Sequence, residues 1–259
     1  MSRSTGGTTE RHDETLAAIG RRIVSGTQPA GSVLTLDAIC TEHGVSRTVA
    51  REVIKVLESM GLVESRRRVG ITIQPRTRWS VFDPRLIRWR LDGADRTEFL
   101  ATLSELRRGF EPVAAALAAE RANEHHCRIL AAAVSDMSVH GRTGDLQSYL
   151  LADKVFHRTL LEASGNEMFR SLADVVGEVL AGRTHHGMMP PTPNPAAIAL
   201  HDDVARAIRL RDPEAAEASM REIITEAAAA VSDDPPLPEV RAERAPSLPE
   251  VRAERATKA

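Results

Sequence analysis

Aromatic side chains are nearly missing from this chain of 259 residues: two Trp, one Tyr and five Phe make up 3% of it. Sheets draw heavily on aromatic and β-branched residues. Their scarcity, with Ala, Leu, Glu and Arg abundant, argues for helices and against a β-sandwich or barrel. Cysteine is equally scarce. Cys40 and Cys127 cannot build a disulfide framework, so a reducing, cytoplasmic setting is expected. No apolar run approaches the roughly 20 residues that span a bilayer, so no membrane partner is expected. The opening stretch MSRSTGGTTERHDE has no apolar segment, and no signal peptide is expected there. No HExxH motif occurs, and no nucleophile stands beside a base in a pattern that marks an enzyme. What is present is 42% hydrophobic and 27% charged, which is ordinary for a globular protein and too apolar for disorder throughout.

A formal charge of −2 hides an asymmetry: residues 1–78 carry a net +4 and the remainder a net −6. A basic segment joined to an acidic one fits two regions with different partners, although modest charge also fluctuates along any chain. Residues 1–11 are polar and rich in Gly and Thr, and are expected to be disordered. From Glu14 the pattern turns helical, with Leu16, Ile19 and Ile23 on one face and Gly26 closing it. QPAGS, with Pro29 and Gly31, is a turn. Thr35 can cap a helix over 36–43 that Gly44 ends. Ser46 can cap another over 47–60, apolar at Val49, Val53, Val56, Leu57 and Met60, that Gly61 ends. LVESRRRVGITIQP then alternates around a basic turn, as a β-hairpin does. Helix, helix, tight turn, helix and hairpin together make a winged helix-turn-helix, placed at 12–76.

RTRWSVFDPRLIRWR at 76–90 is a connector, most of it in the linker placed at 77–94, that Trp79, Phe82, Leu86, Ile87 and Trp89 could pin to a surface. Amphipathic segments follow at 97–122, 123–138, 144–163, 167–182, 195–210 and 213–230. They predict an all-helical bundle over 95–231. From 232 the chain is Pro-rich and charged, and LPEVRAERA at 237–245 recurs at 248–256. Two copies cannot build a solenoid, and this tail is expected to be disordered.

The second helix of a helix-turn-helix enters the major groove, and its first turn meets base edges. Here that turn is HGVSRTVAREV. Ser46 and Thr48 offer short hydroxyls to phosphates. Arg47 and Arg51 are four apart and share a face. Arginine forks bind guanine O6 and N7 or clamp phosphates. Arg66, Arg67 and Arg68 stand at the wing turn, and Gly70 lets the wing backbone approach a sugar-phosphate chain. A solvated basic helix, with Glu52 and Glu58 pairing internally, would show the same arginines singly. Their order and combination are more specific.

The run SRTVAREVIKVLESMGLVESRRRVGITI resembles the DNA-binding domain of the GntR family of bacterial transcription factors. That resemblance implies that Ser46, Arg47, Thr48 and Arg51 contact an operator, with Arg67 and Gly70 at the wing. Where the family often has Arg or Glu at the start of the preceding helix, this chain has Asp37, which faces phosphates poorly and stays outside the expected site.

ELRRGFEPVAAALAAERA at 105–122, ADKVFHRTLLEASGN at 152–166 and HDDVARAIRLRDPEAAEASM at 201–220 resemble the FCD ligand-binding domain, in the FadR-like branch of the family. The resemblance implies a homodimer on a palindromic operator. It also implies a divalent metal (zinc or similar) at the floor of a cavity that accepts a small carboxylate effector. Asp153 and His157, four apart, can hold one ion from one helix face, and His201 would complete a facial set. Alternatively, Asp153 and His157 form a plain hydrogen-bonded pair inside the bundle. The family's last histidine falls at Ile223, and His185, His186 and Glu222 are the candidates to replace it. Arg107, at the position of an inward-pointing family arginine, and Arg183 are the candidates to bind the effector. Glu111 is an equally available internal partner for Arg107. The connector resembles that of family members responding to galactonate or gluconate, so an aldonate is the expected effector. Other readings compete with this one, among them a metal-free regulator that senses another organic acid or an acyl-CoA. A metal hydrolase built on Asp153, His157 and His201 lacks a recognisable motif. A sequence-indifferent nucleoid binder is opposed by the net negative charge.

Overall fold

A computed structural model describes residues 6–232. Its elements alternate as a small helix-and-sheet unit followed by a helical bundle. Helix α1 (Gly6–Val24) leads to strand β1 (Val33–Leu34), helices α2 (Leu36–His43) and α3 (Arg47–Ser59), and the hairpin β2 (Val63–Arg66) and β3 (Gly70–Ile73). The helix begins at Gly6, ahead of the Glu14 at which apolar periodicity starts, so residues 6–11 are helical rather than disordered. Gly and Thr are poor helix formers, but once a packed helix exists each added residue contributes one hydrogen bond without a new nucleation step. Residues 1–5, the rest of the expected disordered N-terminus, and 233–259, which hold the repeated tail, lie outside the described residues.

Local chemistry explains the boundaries. Thr35 Oγ1 accepts from the Ala38 amide at 3.1 Å and caps α2. Gly44 ends it with φ +62°. Ser46 Oγ accepts from the Val49 amide at 3.3 Å and caps α3. The sheet has the order β1-β3-β2, antiparallel throughout, with Val63 opposite Ile73 and Val33 opposite Thr72. The QPAGS turn therefore feeds a third strand of only two residues. Gly70 has a reason within this sheet. Its φ is +106°, and a Cβ there would stand 2.8 Å from Val33 Cγ1. Leu16, Ile19, Ile23, Ile39, Val53, Leu57, Met60 and Ile73 form the core of this region.

The expected linker contains a helix, α4 (Pro84–Leu91). Asp83 caps it, accepting from the Arg85 amide at 2.9 Å, and Pro84 occupies the first turn, where its missing N–H costs nothing. Two apolar faces bury it in two directions. Leu86 and Trp89 join the core of the winged helix. Ile87 and Leu91 pack with Phe99, Leu100 and Leu103 on one side and with Val175 and Val179 on another. Phe82 remains 53% exposed and pins nothing. Gly20 of α1 lies against Trp89 so closely that a Cβ would fall 2.2 Å from the indole ring.

The bundle comprises α5 (Arg96–Arg121), α6 (Glu124–Thr143), α7 (Leu146–Ala163), the short α8 (Glu167–Ser171), α9 (Ala173–His185), α10 (Pro195–Leu210) and α11 (Pro213–Ser232). Small residues line α5, and Ala114, Ala115, Ala118 and Ala119 let α11 approach it closely. No helix among the described residues is long and apolar enough to cross a membrane.

Candidate functional site

Two groups of polar side chains emerge. The first is on the surface. Ser46, Arg47, Thr48 and Arg51 lie exposed on the opening turns of α3, and Arg67 stands exposed at the wing turn. Arg51, Lys55, Arg66, Arg67 and Gly70 line one groove between α3 and the wing. The turn itself is left-handed at Arg68, with φ +68°. Arg47 donates to Asp37 Oδ1 across the helix-turn-helix. Asp37 thus lies in the same cluster as the expected contacts.

The second group is buried in the bundle. Asp153 and His157 of α7 meet His201 of α10, and one ligand atom from each lies within 4.8 Å of the others. His201 Nδ1 donates to the Ala197 carbonyl at 2.7 Å, which turns Nε2 toward Asp153 Oδ1, 3.4 Å away. That Nε2 and Asp153 Oδ1 are both enclosed without a hydrogen bond among the described residues. His157 Nε2 stands 3.4 Å from Asp153 Oδ1, and its Nδ1 stands 2.7 Å from Glu111 Oε2. A carboxylate behind an imidazole is the usual support of a metal-binding histidine. Two imidazole nitrogens, a carboxylate oxygen and unsatisfied lone pairs fit a divalent cation such as zinc, with coordination positions left open.

Electrostatics bind the group together. Burial raises the Glu111 carboxyl, but Arg107 and His157 overcome it and bring it down to about 2. Burial likewise penalises the Asp153 carboxylate, and the two imidazoles hold it well below the usual carboxylate range. For His157, burial disfavours the charged ring, yet Glu111 and Asp153 raise it above its ordinary value. Arg183 of α9 is less well supported: burial and the neighbouring Arg107 lower it from its ordinary value, and the attraction of Asp153 and Glu226 offsets them only in part. Its Nε is enclosed with no hydrogen bond among the described residues.

Arg107, Arg183, Asp153, His157 and His201 line one cavity, with Tyr149, Asn194, Ile223 and Glu226. Arg107 is 2% exposed and donates from Nε and Nη2 to Glu111, the latter at 3.3 Å. Its guanidinium therefore has an internal partner already. His185 and His186 do not replace the missing histidine. They line a separate cavity with Arg88 and Glu178 because α9 turns its last residues toward α4, where His186 lies 3.4 Å from Asp92. Glu222 is exposed on the outer face of α11. Glu226 faces the cavity instead, one turn beyond Ile223, and accepts from Asn194 Nδ2 at 3.4 Å. Sequence reading missed Glu226, although its spacing of three from Ile223 places it on the same helix face.

Comparison with known proteins agrees with this division. Residues 12–73 match the model of the bacterial regulatory proteins of the gntR family, and residues 102–226 match that of the FCD domain. The galactonate operon transcriptional repressor of Escherichia coli is 28% identical over 212 residues, covering 81% of this chain and 92% of the relative. The regulator LutR of Bacillus subtilis is 29% identical over 155 residues, 59% of this chain and 67% of its own. Among solved structures, Lar of Listeria monocytogenes superposes with a TM-score of 0.52 over 90% of this chain and 98% of its own, at 17% identity. That likeness concerns the fold. The chain belongs to the GntR family and carries its FCD domain, and it is a transcription regulator rather than an enzyme.

Proposed function

We propose that this regulator is a homodimeric repressor whose hold on a palindromic operator is released by a small carboxylate, a sugar acid, bound in the bundle cavity beside a divalent metal. One observation carries the reading. Arg183 is half-buried, and its Nε is enclosed with no hydrogen bond among the described residues, at a cavity that also holds the Asp153, His157 and His201 cluster. An enclosed donor without an acceptor is costly, and a carboxylate ligand would satisfy it. Arg107 is already neutralised by Glu111, so it orients and tunes the site and leaves Arg183 as the main anchor. Bound at Asp153, His157 and His201, a divalent cation would supply a Lewis-acid anchor for carboxylate and 2-hydroxyl oxygens. Asn194 and Glu226 add hydrogen-bonding groups suited to further hydroxyls. The likeness to a galactonate operon repressor over most of both chains supports an aldonate.

On the DNA side, Arg47 and Arg51 reach base edges, Ser46 and Thr48 reach phosphates, and Arg67 with Gly70 flanks them from the wing. Two such units fit half-sites related by the protein two-fold. The effector acts only if it binds the two DNA-domain arrangements with different affinity. Helix α4 is the covalent and packed route between them. Glu178 on α9, which also bears Arg183, accepts a bidentate pair of bonds from Arg88 of α4 at 2.9 and 2.5 Å.

The test is operator release. Genomic duplexes retained by the full chain are challenged with galactonate, gluconate, lactate and a dicarboxylate, with and without EDTA. A sugar acid is expected to release a specific duplex, and EDTA to prevent that release. Retention under every acid would overturn the proposal.

A further inference from the structure

The two arginines that open α3 stand in different surroundings. Arg51 makes no ion pair or hydrogen bond that ties it down among the described residues, and it lines the open groove toward the wing. Arg47, one turn earlier, donates through a terminal guanidinium nitrogen to Asp37 Oδ1. Both partners are well exposed, at 67% and 74% of the side chain. An exposed pair of this kind adds little to folding stability. Its larger consequence falls on what Arg47 can still bind.

We propose that Asp37 is a specificity-determining residue, which positions Arg47 to read a guanine–cytosine pair and opposes its use as a phosphate clamp. The proposal rests on the reading of α3 as the operator-reading helix. A free arginine binds any phosphate it reaches, and that contribution is the same on every sequence. With Asp37 on one end of its fork, Arg47 carries a carboxylate that the DNA backbone repels, so binding to arbitrary duplex weakens. The donors left on the fork still match O6 and N7 of guanine. The second carboxylate oxygen is an acceptor for the cytosine N4 amino group. Discrimination then arises as much from the repulsive element as from the attractive one. Asp37 also sits in the first turn of α2, where a negative charge favours the helix. That contribution is read separately, from the melting temperature.

The experiment selects from a randomised duplex pool with full-length protein, comparing the wild type with Arg47→Ala, Asp37→Ala and Asp37→Asn. Affinity for unselected duplex is measured in parallel. The wild type is expected to enrich a palindrome with one guanine–cytosine pair per half-site that Arg47→Ala ceases to prefer. At that pair Asp37→Ala loses about tenfold in preference while binding unselected duplex more tightly than the wild type. Asp37→Asn, which keeps an acceptor and removes the charge, gains as much on unselected duplex and retains more of the preference. If Asp37→Ala keeps the full preference, or weakens on all duplexes alike, Asp37 is not a specificity determinant although α3 still reads DNA. If the wild type enriches no sequence at all, both this inference and the operator-reading role of α3 are overturned.

Discussion

The winged helix-turn-helix keeps its charges outside, whereas the bundle takes some of its charges in. Arg47, Arg51 and Arg67 are solvated, within 21 positions of one another, and any pairing is exposed. Arg107, Glu111, Asp153, His157 and His201 are buried, and they come from α5, α7 and α10. A solvated arginine contributes little to folding and remains available to a partner. A buried one must be satisfied within the fold or by a ligand. Arg107 is buried and has Glu111, while Arg183 is half-buried, with its Nε enclosed and no hydrogen bond to it among the described residues.

That contrast is sharpest at Glu111. Glu111→Ala strands a buried arginine and removes the support of His157, and is expected to destabilise the fold by about 3–5 kcal/mol. Chemical denaturation measures it. A loss below about 1 kcal/mol would mean that water, not protein, satisfies Arg107.

The next effect concerns the seam between the regions. Gly20→Ala places a Cβ inside the van der Waals envelope of Trp89, and is expected to cost about 1–3 kcal/mol in the same assay. An unchanged midpoint would show that α1 and α4 are not packed as described.

On the solvated side the expected loss is in binding alone. Arg51→Ala should weaken specific operator binding by about 1–3 kcal/mol with no shift in melting temperature. Lost stability together with lost binding would move Arg51 into the structural class.

The smallest effect is expected where the comparison is most exposed to contradiction. Arg183→Met removes a half-buried cation that makes no hydrogen bond among the described residues, so the ligand-free protein should melt at the same temperature or higher. A marked fall would reveal an internal partner.

Most of the helix boundaries could be read from local chemistry. Thr35, Ser46 and Gly44 are caps whose effect spans a few residues, and the six amphipathic segments beyond residue 95 correspond to α5–α7, α8 with α9, α10 and α11. Strand β1 could not be read, because two residues carry no alternation and pair only once β3 is in place. Helix α4 could have been, since Asp83-Pro84 is a start signal, but apolar residues on two faces blur its periodicity. Asp153 and His157 stood out through spacing on one helix. That His157 also leans on Glu111, that Glu226 rather than Glu222 enters the cavity, and that His185 and His186 turn away toward α4 all depend on how helices distant in sequence rotate against one another. The role of Asp37 was obscured for the same reason, since its partner lies ten residues away across a turn.

The central claim, that the bundle cavity binds a carboxylate through Arg183 and a metal, is tested most directly by the melting temperature of wild type and Arg183→Met with galactonate, with and without EDTA. Ligand at a hundredfold excess over Kd should stabilise the wild type by about 2.7 kcal/mol, and both EDTA and Arg183→Met should abolish the shift. A galactonate shift that survives both changes, or no shift with galactonate, gluconate or lactate in the metal-loaded wild type, would contradict it.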